Sequence, residues 1–446
     1  MDGEARLSNS RIERIDQFHS TIMNSNRRIF IYIPPDYDTE IRRNYPVIYM
    51  HAGQRVFSSK DPHNESWDAD IRIDKLIHSM ALPPVIVVGV AHVRPETSNE
   101  FYHFWSPEER YGITSSGLQY ERFLIEELKP YIDANYRTII SSEYTALVGS
   151  SAAGLCTYHI GLRRPDIFGN VAILSPYLYS MHSDGSVEQQ LFREPGCLGP
   201  RKIWIDTGGY EGFFLPSYVR DLATRLHDKL SPTGTQVIFY QDPEGGHHEF
   251  WWGKRFELVV MFFFGREGRP ISLRLEGRRE IGLTGHTEQL NPIVELSNGI
   301  KYTPLDGIYC FSPKSILSID QHDKLRPQGI GEAEIQYHYM GLKTSHRVRI
   351  TPFVSSTVAV HMSVDGPNLI PDIESLNIGW GLFLHRTASN HYEGLFSFAR
   401  DMAFDFKFSR GFRKFETTES GAPVTYRRFK ASEDLSLTYK IRGWRQ

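Results

Sequence analysis

Over the first 270 residues, short apolar runs alternate with amphipathic stretches. Val47–Met50 and Val85–Val90 are continuously apolar, as strands buried on both faces of a mostly parallel sheet must be. Tyr120, Phe123, Leu124, Leu128, Tyr131 and Ile132 recur at i, i+3, i+4 spacing and predict a helix. Ala146–Val148 predicts a short strand, followed by a helix from Ala152 that ends by Pro165. Ile203–Ile205 and Val237–Tyr240 predict further strands. Ser217–Leu230 reads as a helix with Val219, Leu222, Leu226 and Leu230 inward, and Lys254–Phe264 as a closing helix. Strand and helix alternating in this way predict a doubly wound α/β domain.

After Pro270 the helical period disappears. Val294–Leu296, Gly307–Phe311, Ser315–Ile319, Ala333–Tyr339 and Arg347–Ile350 are short, often alternating, and separated by Asn-Gly, Asp-Gly, Pro and Gly signals. A second series follows: Thr357–Val364, Asn377–Leu384, Ala403–Ser409, Val424–Phe429 and Leu435–Tyr439. Both series predict all-β sandwiches, and the stretch from 270 to 446 has room for two.

Composition narrows this picture. At about 150 residues per domain, 446 residues predict two to three domains. The 50 Lys and Arg against 53 Asp and Glu leave a net charge of -3, which offers no footprint for nucleic acid or an anionic membrane. Cys156, Cys197 and Cys310 lie far apart with one left over, which argues against a disulfide framework or zinc cluster. The polar start shows no signal-peptide h-region, so the expected location is cytoplasmic, or secreted if a signal has been removed. The longest apolar runs, Val85–Ala91 and Leu258–Phe264, fall far below the roughly 18 residues that span a bilayer.

The strongest chemical signal is Ala146-Leu147-Val148-Gly149-Ser150-Ser151-Ala152-Ala153-Gly154. An apolar strand runs through a small-residue turn into a helix, close to the G-x-S-x-G nucleophile elbow. Ser151 stands at the turn as candidate nucleophile. Ala152 follows at the helix N-terminus, where a free N–H can hold an oxyanion. The bland alternative is a Gly/Ser-rich turn without chemistry. Serine needs a histidine to take its proton and a carboxylate to orient that histidine. In the expected chain order, Asp206 and Glu211 follow the strand at Ile203–Ile205, and His247 and His248 follow the strand at Val237–Tyr240. The residues alone leave both choices open. Gly53 or Gln54, in the loop after Val47–Met50, are candidates for the second oxyanion donor. Trp251, Trp252 and Trp105 are candidates to line an aromatic-accepting pocket, or to pack the core.

Together these segments resemble the putative-esterase family of α/β hydrolases, which includes esterase D, feruloyl and acetyl xylan esterases and enterochelin esterase. The resemblance runs from about Arg27 to Gly265. It rests on His51-Ala52-Gly53-Gln54 in place of an HDGQ-like segment and on Arg94 with Glu100-Phe101. It rests also on Phe123-Leu124 through Tyr136-Arg137-Thr138, the elbow, and Phe168-Gly169 through Ser175-Pro176. The acid segment falls on Gly208 and Glu211, and an H-x-E-x-x-W pattern falls on His247, Glu249 and Trp252. The resemblance therefore implies Glu211 and His247 as the acid and base. Ala52 stands where the family has Asp and Ala153 where it has Gly, and neither is a triad position.

A second resemblance covers about Ser355 to Gln446. Phe404 through Gly411, then Glu416, Gly421, Arg428 and Trp444, are similar to starch-binding-type carbohydrate-binding domains. It would make Trp380 and Phe412 sugar platforms, or core residues. The expected organisation is an α/β-hydrolase domain (1–268), an immunoglobulin-like β domain (269–354) and a starch-binding-like β-sandwich (355–446). The expected activity is that of a serine esterase acting on a small-molecule or carbohydrate ester, with no metal or cofactor and no nucleic-acid or membrane partner. Its rivals are an acyltransferase on the same triad and a catalytically silent carbohydrate-binding protein.

Overall fold

The structure is a computed structural model that describes residues 10–93, 99–105, 114–181, 186–214, 216–320, 323–366, 375–379, 381–410 and 414–445. Arg94, Trp380, Gly411 and Phe412 lie outside them. An eight-stranded mixed sheet forms the N-terminal half. Its strands are β1 (Arg11–Ser20), β2 (Ser25–Ile33), β3 (Val47–His51), β4 (Ile86–Val90), β5 (Thr145–Ser150) and β6 (Asn170–Leu174). A small hairpin, β7 (Tyr179–Met181) and β8 (Val187–Gln190), intervenes before β9 (Lys202–Tyr210) and β10 (Gln236–Gly246). The spatial order is β1-β2-β4-β3-β5-β6-β9-β10. From β4 to β10 neighbouring strands are parallel, while β1 and β2 pair antiparallel and β2 joins β4 antiparallel.

The sheet is mostly parallel, as expected; the antiparallel end, β1 and β2, falls where the sequence predicted no strand. β1 is an edge strand bearing Arg11, Glu13, Arg14 and Asp16. Charges blunt an exposed edge against further pairing, and they erase the apolar run that marks a buried strand.

Helices cover both faces. On one lie α1 (Ala69–His78) and α6 (Glu249–Phe264), where Ile73, Phe256 and Val259 pack on Ile48, Val87, Val148 and Trp204. On the other lie α2 (Gly117–Arg122), α3 (Lys129–Asn135), α4 (Ser151–Arg163) and α5 (Pro216–Leu230). They pack on Tyr49, Val88, Leu147, Ile173 and Ile205. α2 and α3 are joined through a π-turn, Phe123–Leu128. Its wider turn advances the register, so Tyr120, Phe123, Leu124, Leu128 and Ile132 are buried while Tyr131 is 37% exposed. Tyr131, expected to face inward, instead sets its ring edge-on to Phe18 of β1.

The C-terminal half is largely β. Leu275, Ile281, Leu325, Ile335 and Val348 belong to one apolar cluster. Val360, Met362, Leu384, Tyr392, Phe404 and Phe429 belong to a second. Leu342–Val354, the last strand around the first cluster, is followed at Thr357–Asp365 by the first strand around the second. The run expected as one strand at Asn377–Leu384 is two, Ser375–Asn377 and Phe383–Ala388, paired with Asn377 opposite Phe383. The central strand His391–Ala399 had no clear apolar run, because its outward positions carry Glu393 and Ser397 between buried or half-buried partners.

The halves are docked. Thr303 N–H donates to Phe239 O at 2.7 Å, extending the open edge of β10, and Ile293 and Ile300 join the core beneath α6. Arg220 of α5 is buried, with Nη1 donating to Leu290 O at 2.6 Å and Nη2 to Asp323. Arg220→Ala should strand both acceptors and cost about 2 kcal/mol of stability, read as a lower urea midpoint.

Candidate active site

β5 and α4 meet with no linking residue: Ser150 is the last of the strand and Ser151 the first of the helix. The turn forces Ser151 to φ 55°, a left-handed conformation that strains a residue with a side chain. Such strain at one serine is what lifts its hydroxyl clear of the sheet. Gly149 is required, because a Cβ there would stand 2.4 Å from Ala153 O. Ala152 is the second residue of α4, so its N–H is among those with no acceptor inside the helix.

Two other loops reach this point. β9 ends at Tyr210 and delivers Glu211, and β10 ends at Gly246 and delivers His247. His247 Nε2 lies 3.0 Å from Ser151 Oγ, and its Nδ1 lies 3.2 Å from Glu211 Oε2. With the imidazole proton on Nδ1, that N–H donates to the carboxylate and Nε2 accepts from the serine hydroxyl. The ring is stacked on Phe214 at 4.6 Å and meets the edge of Trp252 at 5.1 Å, which fixes its plane.

The competing residues point elsewhere. His248 turns its Nε2 to Asp405 Oδ2 at 3.2 Å and stacks on Tyr426 at 3.7 Å. Asp206 accepts from Trp204 Nε1 at 2.8 Å and from Ser175 N at 3.2 Å, and forms an ion pair with Arg255 at 3.1 Å. Asp206 therefore supports the wall beneath the site without touching His247. Burial pushes its carboxyl up to about 6, against the opposing pull of Arg255.

Glu211 has no exposed side-chain surface, and its Oε1 is held by three donors. Gly208 N–H donates at 2.7 Å, Ser175 Oγ–H at 2.5 Å and Arg255 Nη2 at 3.2 Å. Arg255 Nη2 also donates to Ser175 Oγ at 2.6 Å, as does Trp252 Nε1 at 3.1 Å. Sequence reasoning missed Arg255 altogether and noted Ser175 only as part of a family phrase. A basic residue on the inward face of the apolar helix α6 was the available signal, since a buried arginine requires buried carboxylates.

The remaining candidates divide. Gly53 and Gln54 open a short 3-10 turn after β3, beside β5, so they lie at the same end of the sheet as Ser151. The Gln54 side-chain amide nitrogen is 2.7 Å from a ring nitrogen of His92. Trp252 is a packing residue rather than an open wall: it is 8% exposed and set against Trp67 and Phe256. Trp251 faces the C-terminal β region, with Nε1 donating to Asp405 Oδ2 at 3.1 Å. Trp105 is half-buried against the core shared by α4 and α2. Among the described residues, His286, Glu288 and Asp401 have the spacing of metal ligands, but Arg278 already donates to both Asp401 oxygens at 2.8 and 2.9 Å.

Residues 20–262, more than half of the chain, match the protein family described as "Putative esterase". The chain is 21% identical over 251 residues to the uncharacterized protein YbbA of Bacillus subtilis, a match covering 54% of this chain and 94% of YbbA. It is 29% identical over 154 residues to an endo-1,4-beta-xylanase/feruloyl esterase of Xylanibacter ruminicola, covering 33% of this chain and 19% of that protein. Among solved structures, a ferulic acid esterase of Anaeromyces mucronatus in complex with ferulic acid is similar at 20% identity and a TM-score of 0.44. That match covers 58% of this chain and 93% of the other. Among the described residues, no helix is long and apolar enough to cross a membrane.

Two expectations follow from the buried charges. Arg255→Met should leave Asp206 and Glu211 without their cation and cost about 3–5 kcal/mol, read by urea denaturation at neutral pH. An unfolded Asp titrates near ~3.9, so between there and 6 the folded chain holds the Asp206 proton more tightly than the unfolded one. The contribution of Asp206 to stability falls as pH rises through that window, so stability at the upper end relative to the lower end should be greater in Asp206→Asn than in the parent, read by denaturation curves at the two pH values.

Proposed function

This chain belongs to the Putative esterase family, serine hydrolases that act on carboxylic esters, and we propose that it cleaves its ester through an acyl-enzyme on Ser151. The observation that carries the reading is the continuous chain of contacts from Ser151 Oγ through His247 to Glu211. Ser151 Oγ attacks the ester carbonyl as His247 Nε2 takes its proton, and the carbonyl electron pair moves onto oxygen. The N–H of Ala152, with that of Gly53 or Gln54, holds the oxyanion. Glu211 stabilises the imidazolium and keeps Nδ1 protonated. Collapse expels the alcohol, which leaves with the proton from His247. Water then attacks the acyl carbonyl as His247 takes its proton; the second collapse breaks the acyl–Oγ bond, His247 returns the proton to Ser151 Oγ, and the acid leaves.

An ester of an aromatic acid is the substrate to test first. Phe214 lies over His247, Tyr177 meets Phe214 edge-on at 5.4 Å, and Tyr179 meets Tyr218 at 5.0 Å. These rings supply apolar surface beside the base. The Xylanibacter relative is named a feruloyl esterase, which accords with such an acyl group. A carbohydrate alcohol accords with the resemblance of 355–446 to starch-binding domains. The division at 268/269 and 354/355 belongs to the same reading, supported by the two separate apolar clusters beyond Pro270.

Ser151→Ala should lower kcat/KM on a 4-nitrophenyl ester by about 10³-fold or more without shifting the melting temperature downward. A folded variant with undiminished turnover would remove Ser151 from the mechanism.

A further inference from the structure

The loops that carry Glu211 and His247 belong to different strands of the main sheet, yet both are fastened to one short strand of the C-terminal β region, Ala403–Phe406. On the acid side, Gly212 N–H donates to Ala403 O at 2.9 Å and Glu211 forms a backbone bridge opposite Phe404. Phe213, next in the loop, sets its ring edge-on to Phe404 at 5.5 Å.

On the base side the fastener is Asp405. Its carboxylate is buried, and Oδ2 accepts from His248 Nε2 at 3.2 Å and from Trp251 Nε1 at 3.1 Å, with Arg428 Nη2 at 3.3 Å. These two donors flank the start of α6, immediately after His247. The main chain also closes on Asp405: a Cβ at Gly246 would stand 2.2 Å from Asp405 Oδ2. His247 thus sits between a glycine in contact with Asp405 and a histidine bonded to it. Tyr426, from the same β region, stacks on His248, and its hydroxyl donates to Glu65 Oε2 at 2.9 Å.

We infer that Asp405 is a positioning residue of the active site, the group through which the C-terminal β region sets the placement of His247. The inference rests on the esterase reading of Ser151, His247 and Glu211. A general base has to be held within about 0.5 Å of its working position, and a loop between a strand and a helix does not reach that precision without outside support. A buried carboxylate that takes two donors from just after His247 and lies against Gly246 just before it supplies that support. The β region is then part of the catalytic apparatus, and glycan binding is not needed to explain its presence.

The test compares the full-length chain with Asp405→Ala, Asp405→Asn and Trp251→Phe on one chromogenic ester, with Ser151→Ala alongside. Asp405→Ala is expected to lower kcat about 10- to 100-fold with KM within about twofold, because the base is displaced and the ester-binding surface is not. Asp405→Asn keeps an acceptor oxygen at the same place and should recover kcat to within about threefold of the parent. Trp251→Phe keeps the ring, loses one donor to Asp405, and should lower kcat a few-fold at constant KM. It decides the matter if Asp405→Ala does not fold. Folded Asp405→Ala with parental kcat, or Trp251→Phe unchanged where the alanine variant fails to fold, would overturn the inference and leave the esterase reading standing. Ser151→Ala with parental activity would sink that reading, and this inference with it.

Discussion

A carboxylate withdrawn completely from water must be surrounded by donors or give up its charge, and Glu211 is such a carboxylate. Much of the site can be traced to this demand. One oxygen faces His247; the other is met by the Gly208 N–H, the Ser175 hydroxyl and the Arg255 guanidinium. Arg255 is itself buried, and Asp206 and Asp242 join Glu211 as its counter-charges. The adjacent parallel strands β6 and β9 supply Ser175 and Asp206, and α6 lays Arg255 across them. Apolar packing sets the sheet order and the place of α6; the polar groups they bring together orient one imidazole.

How much of this was legible depends on how local each feature is. The elbow was, because strand, small-residue turn and helix lie within nine consecutive residues. The two loops bearing acid and histidine were legible as strand ends in the right order; the residues alone left the choice within each open, and only the family resemblance implied Glu211 and His247. Asp206 and Glu211 both meet Ser175 and Arg255; they differ in that Trp204 faces the first and His247, from the end of the next strand, faces the second. His247 and His248 differ because Asp405 claims the second, from a strand 157 residues away. Trp252 was open between a substrate wall and the core, and it packs in the core. An aromatic beside a candidate base suits either role; here its indole N–H donates to Ser175 and its ring lies in the apolar cluster.

The C-terminal half was read as a pair of appended sandwiches, and its β character and two apolar clusters agree with that much. That the modules dock was expected, because no low-complexity linker marks either join; which residues meet was not legible. The acid loop adds a backbone bridge to that half, Phe213 enters its hydrophobic cluster, and Arg428 stacks on Tyr210 at 3.9 Å while donating to Glu244 O. Hydrophobic and polar contacts of this kind set loop positions without leaving any periodic trace in the sequence, since each partner contributes only one or two residues.

The central claim is that this buried carboxylate, acting through His247, makes Ser151 the nucleophile. Labelling the native chain with a fluorophosphonate and mapping the adduct by peptide mass spectrometry tests it most directly. A single phosphonylated residue at Ser151, lost when His247 is replaced by alanine, is the result the geometry requires. An intact chain that takes up no label, or takes it at another serine, would contradict it.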